Sequence, residues 1–519
     1  MNGAQSLVQT LLRGGLKVCF ANPGTSEMHF VGALDAHPEL RCVLCLFEGG
    51  ATGAADGYYR MTGDIAATLL HLAPGLGNGF ANLHTARKAG SGLLMIVGEH
   101  ATHHLVHESP LKGDIAALSR TIAHWTHVSP DATAVAGDGA RALAAARSHN
   151  GQLATLVLPA NTAWQEAQWP ADPLPALPLI RPELARIEAA AHTLRLPGAA
   201  LLVDGPTLHG ALGPLAARIA KKTGARLIAP YLASRIRRGA GAVAFERLAY
   251  GVDDNAAVVK DVRHMVLVGA QRPTNFFAYP GKPSLPEAPG TAVHDLCSRS
   301  MDVAYTLGVL AECLGVTEDD PLDRLPLALP ELPEQHGGPM NLTCIGQALA
   351  HLLPENAIVV DESITMARFL MPPTQQARAH DWLHTTGGAI GFGLPNAVGA
   401  AIACPDRQVV VLTGDGSAMY TLQALWTMAR EQLQVVTIVF ANRGYQILRG
   451  ELANVGVTEV GRNAVRMLDV DGPALDWVKL AEGHGVPASR ATDVDSFVAA
   501  LRAALEQAGP HLIEVVCPA

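Results

Sequence analysis

The chain has 519 residues, 49% of them hydrophobic and 16% charged, so it can bury a large core and is not disordered. Its net charge is −9 with no cluster of Lys or Arg, which argues against a nucleic-acid surface. No apolar run approaches the roughly 18 residues of a membrane span, and no basic-then-apolar leader opens the chain, so the expectation is a soluble, cytoplasmic protein of about three domains with no membrane partner.

Residues 1–168 alternate helix and strand. An amphipathic helix is predicted over 3–14, and strands over 18–21, 42–47, 67–72, 92–98 and 153–158. The first strand ends in Asn22-Pro23-Gly24-Thr25-Ser26-Glu27. The second ends at Glu48, where a small-residue helix over 51–61 begins. The third ends at His71, before Ala73-Pro74-Gly75-Leu76-Gly77-Asn78. Cys42 and Cys45 form a CxxC inside an apolar strand with no second pair, and read as buried thiols. Residues 169–182 hold five prolines in fourteen positions and read as a semi-rigid linker. A second unit, 183–325, has strands predicted at 199–203, 226–229 and 264–268. A second Pro-rich linker, about 318–340, leads to a last unit, 341–519. The fold class expected is α/β, with three doubly wound parallel-sheet domains.

The last unit carries the most specific pattern. An apolar strand over 409–412 stops at Gly414-Asp415-Gly416-Ser417. A helical pattern follows, with Leu422, Leu425, Trp426 and Ala429 on one face. A second apolar strand, 435–440, delivers Ala441-Asn442-Arg443-Gly444. Both turns should reach the same sheet edge. Gly414 and Gly416 let backbone approach a ligand, and a helix start at Ser417-Ala418 offers N–H groups to an anion. Asp415 and the Asn442 side-chain oxygen are hard ligands suited to Mg²⁺ carrying phosphate oxygens.

With 25 residues between Gly416 and Asn442, this segment resembles the diphosphate anchor of thiamine diphosphate (ThDP) enzymes. The order of units resembles the pyrimidine-binding, central and diphosphate-binding domains of the decarboxylase and acetolactate synthase branch. That resemblance implies ThDP and Mg²⁺ as cofactors, with the Gly444 carbonyl as a third metal ligand. The family usually has a second Asn where Arg443 stands. Glu48, in FEGGATGAADGYYR, is similar to the Glu that meets N1′ of the aminopyrimidine. It would favour the tautomer able to take the proton from thiazolium C2. In the loop from Thr386 to Pro395, the Gly388 carbonyl would accept from the 4′-amino group, and Ile390 would wedge the cofactor into its bent shape. Acetolactate synthases typically place Met at the Ile390 position.

His71, in HLAPGLGNG, matches a pocket His of benzoylformate decarboxylases, and Thr25 stands for that enzyme's pocket Ser. Gly24, Thr25 and Asn78 then fall among the cofactor-binding residues, and His71 could shuttle protons. His103, His104 and His107 do not read as a metal cluster. His107 aligns with a paired-His position of pyruvate decarboxylases. Glu362-Ser363 also resembles the benzoylformate enzyme. Residues 446–451 should line the substrate entrance, where Arg449 and Glu451 argue against an aromatic substrate. FAD in the central unit is the less favoured reading, since VDGPTLHG lacks the glycine spacing of a dinucleotide turn.

The function expected is non-oxidative decarboxylation of a small-molecule 2-oxo acid, with aldehyde release or carboligation. The alternatives are an acetolactate synthase catalytic subunit and a non-catalytic ThDP-binding paralogue. The resemblance further implies a homo-oligomer, at least a dimer and expected as a dimer of dimers, because its sites take one half from each subunit.

Overall fold

The structure, a computed structural model, describes residues 1–334 and 338–517. Part of the second Pro-rich linker, 335–337, lies outside the described residues. Three sheets form, and their central strands are apolar runs buried on both faces, as parallel strands require.

The first sheet contains β1 (Val18–Asn22), β2 (Arg41–Leu44), β3 (Ala66–Leu70), β4 (Leu93–Glu99), β5 (Trp125–Val128) and β6 (Leu153–Pro159). All pairs are parallel, in the order β2-β1-β3-β4-β6-β5. The order reverses beside β1, and the crevice between β1 and β3 is where such a sheet binds ligands. The second strand stops at Leu44, short of the expected 47. The chain turns, and Glu48 becomes the first residue of the Glu48–Thr62 helix. The edge strand β5 was not predicted; its sequence, WTHV, is half exposed and lacks an apolar run.

The central sheet contains β7 (Ala199–Val203), β8 (Arg226–Ala229), β10 (Glu246–Arg247), β11 (His264–Val268) and β12 (Ala292–Cys297), in the order β10-β8-β7-β11-β12. Between them, β9 (Ile236–Arg238) leaves this unit and pairs antiparallel with the last sheet. That sheet holds β13 (Ile358–Glu362), β14 (His380–His384), β15 (Val409–Gly414), β16 (Val435–Ala441), β17 (Ala488–Ala491) and β18 (His511–Val516). Its order is β17-β18-β16-β15-β13-β14-β9, so its switch point lies between β13 and β15. The helical segment after β15 is broken. Residues Asp415–Ala418 make one turn, the chain bends, and Ala424–Arg430 makes the next helix, leaving Leu422 outside it. Thr421 marks the bend, its hydroxyl donating to the Gly391 carbonyl at 3.0 Å.

The first and last units meet through the Glu48–Thr62 and Gly393–Ala403 helices. A Cβ at Gly57 would lie 2.0 Å from the Asn396 carbonyl oxygen, and one at Gly399 1.8 Å from that of Ala54. The small-residue sequences exist because these two backbones touch. Among the described residues, no helix is long and apolar enough to cross a membrane.

Candidate active site

At the first switch point, β1 delivers the Thr25–Glu27 turn and β3 delivers His71. Glu27 is 2% exposed. One of its oxygens accepts from the Gly24 amide at 2.7 Å and lies 2.8 Å from His71 Nδ1. The other accepts from the Ser26 hydroxyl at 2.6 Å. A carboxylate on Nδ1 fixes the proton there and leaves Nε2 as the basic nitrogen of the neutral ring. The residue after His71, Leu72, has φ +53, a conformation non-glycine residues avoid.

Glu48 is 8% exposed. It sits at the first turn of its helix, where the dipole favours a carboxylate. Asn78 Nδ2 donates to it at 2.9 Å, and a Cβ at Gly75 would stand 3.1 Å from its other oxygen. Thus Glu27 and His71, from turns, and Glu48 and Asn78, from the N-terminal parts of the Glu48–Thr62 and Leu72–Ala89 helices, meet at one edge of the first sheet. Thr25 is exposed, and Ser26 is the hydroxyl that joins the Glu27–His71 pair. His107 is exposed and stacks on His104 at 5.5 Å between ring centroids; no hydrogen bond among the described residues ties it to Glu48 or His71.

At the second switch point, Asp415 is 3% exposed. It accepts from the Gly416 amide at 2.8 Å and the Arg443 amide at 2.7 Å. Burial raises its pKa and those two amides oppose the rise. No basic side chain among the described residues forms an ion pair with it. Asn442 Oδ1 faces the Gly444 amide at 3.3 Å. Arg443, at φ +57, presents its backbone to Asp415 while its side chain is exposed, so the absent second Asn does not disturb this geometry. The helical turn opens at Asp415, two residues earlier than expected. The amides of Gly416, Ser417 and Ala418 therefore all lie in its first turn, and Gly414 caps it. The Tyr445 ring covers Gly416, where a Cβ would lie 2.7 Å away.

The loop after β14 brings Gly388, at φ +71, and Ile390, half-buried, toward this edge. Two residues not assigned as site residues organise it. Glu362, at the end of β13, accepts from the Phe392 amide at 2.7 Å and the Thr413 hydroxyl at 3.0 Å, tying the Gly388 loop to the strand that delivers Asp415. Burial pushes its carboxyl up to about 7, against those hydrogen bonds. Arg60 Nη1 donates to the His384 carbonyl at 2.7 Å and its Nη2 to the Thr386 hydroxyl at 3.2 Å. Glu27 was visible in the first turn as an acid three residues after a glycine. Arg60 pairs with Asp56 one helical turn earlier at 2.8 Å, an ordinary i,i+4 pair in sequence; its ties to the Gly388 loop carried no signal, because His384 and Thr386 lie more than 320 residues away.

Residues 1–119 match the profile for the thiamine pyrophosphate enzyme N-terminal TPP binding domain, and residues 362–515 that for the C-terminal TPP binding domain. A relative spanning the whole chain decides the matter: it is 47% identical to the acetolactate synthase-like protein IlvX of Mycobacterium tuberculosis, over 100% of this chain and 99% of that one. The protein belongs to the ThDP-dependent enzymes. This ThDP enzyme is also 29% identical to benzoylformate decarboxylase of Pseudomonas aeruginosa, over 98% and 97% of the two chains. Among solved structures it superposes on the ThDP-dependent 4-hydroxybenzoylformate decarboxylase of Rhodococcus jostii RHA1, with a TM-score of 0.85 at 27% identity, covering 100% and 99% of the chains. Its membership lies in the decarboxylase and acetolactate synthase branch.

Proposed function

We propose that this ThDP enzyme catalyses Mg²⁺-dependent, non-oxidative decarboxylation of a 2-oxo acid, with release of an aldehyde or ligation to a second carbonyl. The carrying observation is the pair of buried Glu27 and part-exposed His71, 2.8 Å apart, at the switch point of the sheet beside the helix that begins at Glu48. The donor set fits the cofactor. Asp415, Asn442 Oδ1 and the Gly444 carbonyl would hold Mg²⁺, and the first-turn amides of Ser417 and Ala418 the diphosphate, with Gly414 and Gly416 leaving room for its approach. Gly388 and Ile390 would hold the aminopyrimidine end, with Gly24, Thr25 and Asn78 around it. When bound, ThDP supplies a nucleophilic carbon and an electron sink for loss of CO₂.

The chain's own residues manage protons and water. Glu48, oriented by Asn78, would exchange a proton with the aminopyrimidine. His71 takes and returns a proton at Nε2, its ring held by Glu27, in the manner of a base oriented by a carboxylate. In this reading His107 has no role at the reacting atoms, since it lies exposed in its own loop.

The test is a panel of 2-oxo acids offered to the holoenzyme, with CO₂ and products measured. Glu48→Gln is expected to retain ThDP and lose about 10²–10⁴-fold in turnover. No CO₂ from any acid, with ThDP bound, would overturn the reading in favour of a non-catalytic paralogue. A second reading, ligation of two pyruvates, is supported by the full-length likeness to IlvX. It requires acetolactate as the product from pyruvate.

A further inference from the structure

The Gln446–Asn454 helix starts two residues after Gly444 and has no buried residue of its own. It is held from both ends instead. At its start, Tyr445 lies on Gly416. Near its other end, Glu451 receives two tyrosine hydroxyls from the central unit, Tyr250 at 3.0 Å and Tyr279 at 2.6 Å, one on each carboxylate oxygen. The Tyr250 ring packs on Phe276 at 5.4 Å between centroids, and a Cβ on Gly388 would lie 2.7 Å from the Phe276 ring. A closed chain of contacts therefore runs from Gly416 through this helix and the central unit to Gly388. It frames the opening between the two ends of the cofactor site.

The charges on this helix are spent on the frame. Both oxygens of Glu451 are taken by the tyrosines, and the guanidinium of Arg449 is paired with Asp469. Burial and the neighbouring carboxylate raise the Tyr250 pKa, so it stays a donor at any working pH. The large apolar side chains exposed here are Leu448 at 44%, Phe276 at 44% and Phe277 at 51%, with the Arg443 side chain also exposed in the turn before the helix. The sequence-based objection to a large apolar substrate, drawn from Arg449 and Glu451, is thereby removed.

Resting on the function proposed above, we propose that Glu451 is a positioning and specificity residue. With Tyr250 and Tyr279 it latches the Gln446–Asn454 helix to the central unit, keeps its own charge out of the opening, and so selects 2-oxo acids with uncharged apolar side chains over charged ones. The latch is a device against the wrong substrate as much as for the right one.

The test measures binding, so that it does not depend on turnover. In a Glu48→Gln holoprotein, Kd is measured by calorimetry for phenylglyoxylate and for a 2-oxo acid with a guanidinium side chain. The latched protein should favour phenylglyoxylate. Tyr250→Phe with Tyr279→Phe frees the carboxylate, and the Kd ratio should shift about tenfold toward the cationic acid. Adding Glu451→Gln should cancel the shift. Tyr279→Phe alone, the milder change, should move the ratio in the same direction. An unchanged ratio, or a shift that survives Glu451→Gln, overturns the latch. Binding of neither acid, nor of any other 2-oxo acid, by a protein with ThDP bound overturns the function proposed above instead.

Discussion

At the scale of single residues, backbone strain marks the ligand edge. Leu72, Ile364 and Arg443 have φ of +53, +50 and +57, and each lies two residues past the end of a strand, directly after His71, Ser363 or Asn442. Ile364 is β-branched, for which this conformation is a true outlier, and such strain collects at functional sites. The sequence could not reveal it, because nothing local favours a leucine, isoleucine or arginine there; packing around the turn imposes it. Arg443→Gly should therefore raise stability by about 1 kcal/mol, read as a higher urea midpoint, and leave Mg²⁺ affinity unchanged, since only the Arg443 amide touches Asp415. Glu362 gives a pH signature. Its carboxyl is raised from 4.5 to about 7 on folding, so the native state binds the extra proton between these values. Stability due to this group is present below pH 4.5 and is lost as pH rises toward 7. Glu362→Gln should flatten that decline in chemical denaturation, by an amount on the order of 3 kcal/mol.

At the scale of elements, strand ends were legible and partnerships were not. The apolar runs predicted ten of the thirteen residues of β15 and β16 in place, because parallel strands buried on both faces must read as unbroken apolar stretches. By contrast β9, Ile-Arg-Arg, has no periodicity at all, and exists because β14 offers it an edge. The small-residue helix Glu48–Thr62 was recognisable, but the reason for its small residues was not, since its partner lies more than 300 residues on. That partnership is testable. Gly399→Ala sets a Cβ 1.8 Å from the Ala54 carbonyl oxygen, so the helices must separate. We expect a loss of about 1–3 kcal/mol in unfolding free energy, whereas Gly77→Ala, with no atom within 4 Å of its Cβ, should stay near the wild-type value.

At the scale of the whole molecule, the two halves of the site were legible as motifs, while their union was only implied. Glu48 is bonded to Asn78, and Asp415 to the Gly416 and Arg443 amides; no hydrogen bond among the described residues connects one group with the other. Each half is also rimmed by exposed large apolar side chains: Met28 at 47% and Leu46 at 46% beside Glu27 and Glu48, Tyr420 at 54% and Leu448 at 44% beside Asp415 and Asn442. A second copy seated on either half would cover such side chains. We therefore expect a homodimer or a dimer of dimers in which the Glu48 half of one copy completes the Asp415 half of another. Mixing two inactive variants decides it. Glu48→Gln and Asp415→Ala are each expected to be nearly dead. Dissociated, mixed in equal amounts and reassociated, they form hybrids holding one site with both lesions and one with neither. Random pairing then returns roughly a quarter of wild-type activity. Were both halves taken from a single chain, every site in the mixture would carry one lesion and no activity would return. Sedimentation as a monomer at assay concentration, with full activity, would refute the shared site by a second route.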